Sequence, residues 1–449
     1  MRFLRVDPSF IKWFYFGMHI KRWLLLLLVG VAIMGLGFGY FLREVYLSYT
    51  FPSWVYYTTL QFLPRYVRGA IFVVFSTTII LFAIWQLNRS LLSAFIRPGK
   101  NESLVNIIYN HRYLRRGPKI VAIGGGTGLS TLLRGLKQYT GNLTAVVTVA
   151  DDGGSSGRLR EELGLPPPGD LRNCIAALAD AEPLMTKLFQ YRFNEGTGLE
   201  GHSFGNLFIA AMSSVTGNFE DAVRETSRVL AVRGQILPST LANVTLSALT
   251  DEDDTIHGES NITERGSRIR KVFIHPENAL ANPDAIRAIL GADMVVIGPG
   301  SLYTSVLPNL LVEGINRAIE MSKGLKVYVC NVATQRGETD TFTVSDHCRA
   351  LYDHVEHSMF NYVLANSNII QDGLPEAWHA EPVRVDNERV NGSAVVLADV
   401  VSEENRYHHD TEKLAATLMN LYYQRRQTDV SAAPLLREVE SERQEAVVR

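Results

Sequence analysis

Residues 120–136 read IVAIGGGTGLSTLLRGL, and this stretch decides the fold. Its apolar start, Ile120 to Ile123, predicts a strand buried on both faces, and a helical pattern from Ser130 to Tyr139 follows. A glycine-rich loop joins the two at Gly124, Gly125, Gly126, Thr127 and Gly128. Glycines let a backbone approach a phosphate, and the free N–H groups of a helix N-terminus favour an anion. The last glycine comes one residue too early for GxGxxG, so a standard dinucleotide fingerprint is not indicated. A tight turn without a ligand is the alternative.

Short apolar runs rich in Val and Ile recur after this stretch. They lie at Ala145 to Val149, Met294 to Ile297, Val327 to Val329, Tyr362 to Leu364 and Ala394 to Leu397. Helical patterns separate many of them, for example Thr304 to Ser322 and Thr411 to Gln424. This alternation predicts an α/β fold with an open, doubly wound, mostly parallel, Rossmann-like sheet. A peripheral β-hairpin is predicted at Val244 to Leu249 and Ile256 to Glu259, around an acidic turn.

Polar residues cluster where these strands end, which is where ligands bind in open α/β sheets. Asp151 and Asp152 follow the second strand, at a distance from the glycine loop where an acidic residue commonly accepts hydrogen bonds from ribose hydroxyls. Paired carboxylates also suit a Mg²⁺ ion that bridges to a substrate phosphate. A solvated acidic turn is the third interpretation, although a run of small residues that includes Ser155 follows directly.

Two further motifs precede helical patterns. PPPGDLRN places Asp170, Arg172 and Asn173 at the start of an apolar helix, where Asp170 is either the N-cap or a ligand-binding acid. GHSFGN places His202 and Asn206 before another helical run, and its small residues indicate the close approach of another group. His202 by itself is also consistent with a packed core histidine.

A second anion-binding helix N-terminus is predicted after the strand Met294 to Ile297, in the sequence GPGSLYTS. This motif contributes Gly300, Ser301 and Tyr303, and Asn331 follows the next strand. Two such helix N-termini in one domain suit a diphosphate. The sequence contains no GxSxG or HExxH motif and no reactive cysteine beside a histidine motif. It therefore predicts a phosphate-bearing ligand without assigning a reaction.

The composition excludes some classes of protein. The 449 residues carry a net charge of −2 with both signs interspersed, so a nucleic-acid partner is not expected. The three cysteines, Cys174, Cys330 and Cys348, form no CxxC pair, which argues against a zinc site and fits a reducing compartment.

Two long uncharged stretches predict transmembrane helices at residues 23–42 and 69–87. Basic residues flank the outer ends of this pair, so residues 1–22 and everything after the second helix are expected in the cytoplasm, with 43–68 as an extracytoplasmic loop. A cleaved signal peptide is the alternative, but no clear cleavage site follows. The predicted two-span protein of the cell membrane continues with a juxtamembrane linker (88–117), a nucleotide-binding domain (118–425) and a disordered tail (426–449).

Six motifs occur in order between Pro118 and Arg425: GGGTGLS, TVADDGGSSGRLR, PPPGDLRN, GHSFGN, IGPGSLYTS and CNVATQRGET. Together they resemble the YvcK-type family of bacterial gluconeogenesis factors. The resemblance implies a fold related to 2-phospho-L-lactate transferase, the enzyme that joins a phospholactyl group to a deazaflavin. It also implies a UDP-sugar ligand, UDP-N-acetylglucosamine or UDP-glucose, and a regulatory role in gluconeogenic growth, cell shape and cell-wall synthesis.

The resemblance also implies which residues bind the ligand. The family pattern falls on the glycine loop Gly124 to Gly128 and on further residues after the later strands. These are Asp151, Asp152, Asp170, Asn173, His202, Asn206, Gly300, Ser301, Tyr303 and Asn331. Trp378 and His408 lie near C-terminal positions where relatives carry Tyr and Arg at the UDP-sugar site. A planar Trp can still stack on a uracil, whereas His lacks the permanent charge and bidentate fork of Arg.

Three functions are consistent with these residues. The first is a nucleotide-sugar-binding regulator, a homo-oligomer with cell-wall synthesis proteins as partners. The second is a phospholactyl-type transferase, favoured by the related fold and by Asp151 and Asp152 as a metal site. The third is a nicotinamide-dependent oxidoreductase, which the glycine spacing disfavours.

Overall fold

A computed structural model describes residues 20–95, 114–180, 183–355, 359–369 and 379–427 of the chain. The chain divides into two compact units at residue 114. The predicted tail from residue 428 onwards, most of the predicted linker and the N-terminal 19 residues lie outside the described residues.

The described residues of the first unit form the helices Ile20–Ser48, Ser53–Thr58 and Arg65–Phe95. Two segments, Val29–Ser48 and Arg65–Ala83, are long and apolar enough to cross a membrane by length and composition. No residue of either segment's most apolar window is buried within the structure. The two predicted apolar helices are therefore confirmed as helices, with bounds shifted by several residues from 23–42 and 69–87.

Eleven strands lie in the described residues of the second unit. They are β1 (Ile120–Gly124), β2 (Leu143–Val147), β3 (Gln235–Pro238), β4 (Thr245–Thr250), β5 (Thr255–His257), β6 (Ile269–His275), β7 (Met294–Ile297), β8 (Leu325–Val329), β9 (Tyr362–Asn366), β10 (Arg389–Val390) and β11 (Ser393–Ala398). The main sheet has the order β10-β11-β9-β8-β7-β1-β2-β3. Only the short β10 runs antiparallel to its neighbour. The predicted doubly wound, mostly parallel sheet is confirmed.

The centre of this sheet is fully apolar, as expected for strands covered on both faces. Every residue of β1 and β7 is buried, and Ile120 pairs in register with Leu143 of β2 and Met294 of β7. The apolar runs read from the sequence therefore correspond to observed strands. The second strand is the least accurate of them, because it ends at Val147 rather than Val149.

Helices cover the sheet. Those of the second unit are Gly126–Leu136, Gly154–Leu163, Gly169–Leu178, Pro183–Gln190, Phe204–Thr216, Phe219–Val229, Glu259–Arg265, Pro283–Leu290, Leu307–Leu310, Ile315–Met321, Val344–Val355 and 411–427. The helix Gly126–Leu136 shows how such a helix packs on the sheet. Its apolar residues recur at helical spacing and are completely buried: Leu129, Leu132, Leu133 and Leu136.

The single helix predicted from Thr304 to Ser322 is wrong. The chain forms a π-helical turn at Leu302–Val306, then the short helix Leu307–Leu310, and after a loop the helix Ile315–Met321. Gly314 has a φ of +98°, in the left-handed region that an L side chain rarely adopts, so the backbone cannot continue as one helix there.

The predicted hairpin is confirmed as β4 and β5, which pair antiparallel around the acidic turn. The sequence reading missed β6, which pairs with the other edge of β4 and completes a separate three-stranded sheet. The helix Glu259–Arg265 lies between β5 and β6 in the chain, and its first residues donate hydrogen bonds to Asp152, which follows β2 of the main sheet.

The strand order reverses at β1, which has β2 on one side and β7 on the other. The chain leaves β1 towards β2 and β3, and the strands β7, β8, β9 and β11 extend the sheet in the opposite direction. Open α/β sheets bind ligands in the crevice at such a switch point, beyond the carboxyl ends of the strands.

Candidate functional site

A cavity of about 140 Å³ lies at this switch point. Its walls come from the start of the helix Gly126–Leu136 and from the loops that follow β7 and β8, with one segment from just before the last helix. The lining residues are Thr127, Gly128, Thr131, Pro299, Gly300, Ser301, Asn331, Val332, Ala333, Gln335, Tyr407, His408 and His409. The structure thus brings six of the predicted site residues into one space.

The glycine loop and the loop after β7 are packed backbone against backbone. A Cβ placed on Gly128 would lie 2.7 Å from the carbonyl oxygen of Pro299, closer than real Cβ atoms approach other atoms. Gly124 ends β1, and its carbonyl oxygen accepts a hydrogen bond of 3.1 Å from Asn309 Nδ2. Gly125 is the helix N-cap. The glycine at position 128 is therefore required by the close approach of the two loops.

Asn331 holds the loop after β7 from the other side. Its Nδ2 donates to the carbonyl oxygen of Gly300 at 2.9 Å, and its Oδ1 accepts from the Gly300 N–H at 3.3 Å. This paired contact fixes the backbone of Gly300 and Ser301 at the rim of the cavity. Asn331 is thus a positioning residue whose amide atoms are engaged with this loop.

Glu338 fixes the turn that follows. Its buried carboxylate accepts hydrogen bonds of 3.0 Å from the Tyr303 N–H and from Thr304 Oγ1. Burial raises the pKa of Glu338 to about 7, against the effect of these hydrogen bonds. The Tyr303 side chain is 3% exposed and its ring lies beside His354, with centroids 5.8 Å apart, so Tyr303 does not line the cavity.

The two adjacent acids after β2 have different surroundings. Asp152 accepts three hydrogen bonds from the start of the helix Glu259–Arg265: from the Glu259 N–H (3.1 Å), the Ser260 N–H (2.9 Å) and Ser260 Oγ (2.6 Å). It therefore caps a helix that lies more than 100 residues later in the chain. Asp151 instead accepts from the Gly153 N–H at 2.9 Å and from the Ser156 side chain.

Asp151 belongs to a group of three carboxyls beside the glycine loop, with Asp170 and Glu259. Burial, and next the charge of Asp151, raise the pKa of Asp170 to about 7, although the Gly126 N–H donates to its carboxylate. Burial, followed by the charges of Asp151, Asp152 and Asp170, raises the pKa of Glu259 to about 8. The pKa of Asp151 is also raised, chiefly by burial. Asp170 and Glu259 therefore titrate near neutral pH.

Buried guanidinium groups lie close to these carboxyls. Arg172 Nη2 donates to Asn173 Oδ1 at 2.9 Å, so two predicted site residues bind each other. The Arg172 Nε and Arg160 Nη1 atoms are buried without a hydrogen-bond partner among the described residues. Burial lowers the pKa of both guanidinium groups, and the nearby carboxylates oppose this effect.

Ser155, His202 and Asn206 form a buried polar cluster. Ser155 Oγ lies 3.0 Å from His202 Nδ1 and accepts hydrogen bonds from Asn206 Nδ2 (3.1 Å) and the Ser203 N–H (3.4 Å). With those donors in place, the Ser155 hydroxyl donates to His202 Nδ1. Burial, and next the charge of Arg158, lower the pKa of His202, which agrees with this neutral accepting ring. The cluster ties the start of the helix Gly154–Leu163 to the GHSFGN segment.

The predicted Mg²⁺ site fits the described residues poorly. Among residues that the structure describes, no three His, Cys, Asp or Glu side chains are arranged to hold one metal ion. Both oxygens of Asp152 are engaged by the helix Glu259–Arg265. Asp151 is the acid of the pair whose carboxylate is not held by that helix. The binding of one Mg²⁺ ion by both acids therefore stays a prediction.

The predicted site residues thus fall into separate groups. One group lines the cavity and consists of Thr127, Gly128, Gly300, Ser301, Asn331 and His408. The three carboxyl residues and the serine–histidine cluster lie on the β2 side of the glycine loop. Trp378 lies outside the described residues. Sequence reasoning missed Glu259 and the structural role of Glu338, because each acts on a partner far away in the chain.

Comparison with known proteins supports one family. The profile of the family described as 2-phospho-L-lactate transferase CofD matches residues 120–401, which contain the whole main sheet. The chain belongs to the CofD family. A Bacillus subtilis relative described as "Gluconeogenesis factor" is 50% identical over 310 residues, covering 68% of this chain and 98% of its own.

Two further relatives match different portions of this CofD-family chain. A Nostoc sp. protein is 48% identical over 430 residues, which is 93% of each chain, so its match extends into the N-terminal unit. The crystal structure of a Bacillus halodurans member of the UPF0052 family is 46% identical and covers 68% of this chain and 99% of that one, with a TM-score of 0.65. The second unit therefore exists as a complete folded protein in a relative.

Proposed function

We propose that this protein is a membrane-anchored regulatory factor that binds a UDP-sugar and acts in cell morphogenesis and cell-wall synthesis during gluconeogenic growth. The observation that carries the proposal is the cavity at the switch point. Its walls combine backbone N–H groups with neutral side chains, and its volume of about 140 Å³ is below the roughly 300–1,000 Å³ of sites that enclose a drug-sized ligand. It is therefore suited to the diphosphate, with base and sugar lying along the open crevice.

The donors for a diphosphate come from the helix Gly126–Leu136. The N–H groups of Thr127 and Gly128 belong to its first turn, where no carbonyl four residues earlier can accept from them within the helix. Both residues line the cavity, and the helix dipole places partial positive charge at the same point. Ser301, Gln335 and His408 supply hydrogen-bonding side chains around it.

The proposal of a regulator rather than an enzyme rests on the arrangement of the candidate catalytic groups. The serine–histidine pair has the reach of a nucleophile and base, but Ser155 is only 3% exposed and its hydroxyl oxygen already accepts from Asn206 and Ser203. A nucleophile must reach its substrate, so this pair is better suited to holding the fold together. The relatives are also described as factors rather than as enzymes.

A transferase is the second candidate, favoured by the CofD family match and by the carboxyl group beside the glycine loop. Asp170, with a pKa of about 7, and Glu259, with a pKa of about 8, have the values that suit proton transfer near neutral pH. In this alternative one of them removes the proton from an acceptor hydroxyl. The hydroxyl oxygen then bonds to the phosphorus of a phosphorylated or nucleotide-linked donor, and the donor's bond to its phosphate or nucleotide leaving group breaks.

The membrane anchor is supported by the two long apolar helices of the first unit. Basic residues at both outer ends of the pair support a cytoplasmic location of the second unit under the positive-inside rule. We further propose a homo-oligomer with cell-wall synthesis proteins as partners. The anchor is tested by extraction of the full chain from membranes with alkaline carbonate, which releases peripheral proteins and leaves spanning ones behind.

Ligand binding is tested by thermal unfolding of the fragment 114–449 with UDP-N-acetylglucosamine, UDP-glucose, NAD and Mg²⁺, singly and together. A ligand at 100 times its Kd adds about 2.7 kcal/mol of stability. We expect stabilisation by a UDP-sugar, and less of it in His408→Ala than in the control Arg406→Ala, whose exposed side chain does not line the cavity.

Mass spectrometry of the recovered ligand separates the two candidates. An intact UDP-sugar after prolonged incubation supports the regulator. Consumption of a phosphorylated donor with formation of a coupled product establishes the transferase instead. The absence of stabilisation by any UDP-sugar contradicts the ligand assignment.

A further inference from the structure

A second cavity opens at the opposite edge of the main sheet, at the amino ends of its strands. Its volume is about 1080 Å³, several times that of the cavity at the switch point. Residues just before β1 and β7 and the first residues of β8 and β9 form its floor: Pro118, Asp293, Leu325 and Tyr362. The carboxyl-edge site and this second cavity are therefore separated by the length of the strands.

Basic side chains dominate the lining of this second cavity, which we name the basic groove. They come from four separated segments of the chain and are Arg116, Lys323, Lys326, Arg389, Arg425 and Arg426. The single acid in the lining is Asp293, and its Oδ2 already accepts from the Lys119 N–H at 2.8 Å. A concave surface with this excess of one sign concentrates positive potential and attracts anions.

Four basic residues of the groove form no ion pair with an acid in the described part of the chain. The ion pairs found there do not include Arg116, Lys323, Lys326 or Arg389. Arg116, Lys323 and Arg389 are also exposed, so their head groups are available to a partner in solution or at a surface. An anionic group is the partner that this arrangement favours.

The position of Arg116 in the sequence indicates which anion. Eighteen residues (114 − 95 − 1) separate the end of the helix Arg65–Phe95 from Leu114, and Arg116 follows two residues later. That stretch itself carries Arg97, Lys100 and Arg112. Clusters of four to eight basic residues directly after a membrane-spanning helix on the cytoplasmic side bind anionic lipid headgroups.

We propose that the basic groove binds the phosphate groups of anionic phospholipid headgroups. This inference rests on the membrane anchoring proposed above. It adds a second contact with the membrane, made by the folded domain itself and independent of the ligand cavity at the other edge of the sheet.

The test uses the fragment 114–449, which lacks both apolar helices. Its sedimentation is measured with vesicles of phosphatidylglycerol mixed with phosphatidylcholine and with vesicles of phosphatidylcholine alone. We expect binding to the anionic vesicles that weakens as salt is added, since charges at a surface are screened. The double variant Lys323→Glu and Arg389→Glu should bind at least about thirtyfold more weakly, because two attractive contacts are lost.

The matched control is the double variant Lys187→Glu and Arg228→Glu. It changes the net charge by the same amount at exposed positions outside the basic groove. Equal thermal unfolding temperatures of the two double variants show that neither has lost its fold. Retained vesicle binding by the control, with loss in the groove variant, supports the proposal.

Other outcomes overturn it. Equal binding to neutral and anionic vesicles, or equal loss in both double variants, shows that the basic groove does not recognise headgroup phosphates. Stabilisation by inorganic phosphate through Lys323 and Arg389 without vesicle binding assigns the groove to a soluble phosphate compound instead.

Release of the full chain by alkaline carbonate, with vesicle binding by the fragment intact, contradicts the anchor and leaves the groove assignment standing.

Discussion

Replacing Gly128 by alanine should separate the two loops that flank the ligand cavity. A Cβ at this position would lie 2.7 Å from the carbonyl oxygen of Pro299, so the loops must part by about 0.8 Å to restore an ordinary contact of about 3.5 Å. Both partners are backbone, and no flexible side chain can move aside. Such overpacking costs about 1–3 kcal/mol of unfolding free energy, offset by about 1 kcal/mol because alanine favours a helix.

The larger expected effect of Gly128→Ala is on ligand binding. In the proposed complex the N–H groups of Thr127 and Gly128 bind the same phosphate as the loop after β7, and the substitution moves that loop away. Loss of one hydrogen bond to a charged group costs about 1.5–3 kcal/mol, which raises the Kd by about tenfold or more. Isothermal titration of UDP-N-acetylglucosamine into the fragment 114–449 measures this change directly.

Gly124→Ala is the matched control in the same loop. The nearest atoms to a Cβ at Gly124 are 3.8 Å away, which is ordinary van der Waals contact. This variant should therefore bind the ligand and unfold like the unaltered fragment. Unchanged binding by Gly128→Ala, or equal weakening in both variants, would refute the conclusion that the contact between the two loops shapes the site.

Two further predictions concern residues that hold the site. Glu338→Gln should flatten the dependence of stability on pH: the pKa of Glu338 in the folded protein is about 7, above the ordinary 4.5, so its stabilising protonation is complete below about pH 4.5 and lost as the pH rises through 7. Between pH 6 and 8 this loss is about 1.3 kcal/mol, measurable by urea unfolding of both proteins at several pH values. Asp152→Ala removes the acceptor of three hydrogen bonds from the helix Glu259–Arg265 and should lower the unfolding free energy by about 1–3 kcal/mol, with faster hydrogen exchange in that helix. Asp152→Asn keeps one acceptor oxygen and should lose less; exchange in that helix unchanged by Asp152→Ala would show that another contact holds it.

Local patterns were sufficient for much of the fold. A run such as Met294 to Ile297 is apolar at every position, and a strand covered on both faces requires this pattern, so its bounds were predicted as the structure has them. The helix from Thr304 to Ser322 was predicted wrongly because apolar spacing does not reveal a backbone break, and Gly314 permits a conformation that the spacing ignores. The missed strand β6 carries exposed polar residues between buried ones, since it lies at an edge of a small sheet.

The sequence by itself determined that glycine-rich loops follow buried strands, because a glycine-rich turn before a helix is a local feature. Only the tertiary structure decided how the polar residues divide. Asp151 and Asp152 are neighbours in the chain, yet one lies among partly buried carboxyls and the other caps a helix formed 107 residues later. Side-chain partners and burial depend on which segments meet in space. The order of the strands in the sheet decides which segments come together. It places the loops after β1, β7 and β8 around one cavity.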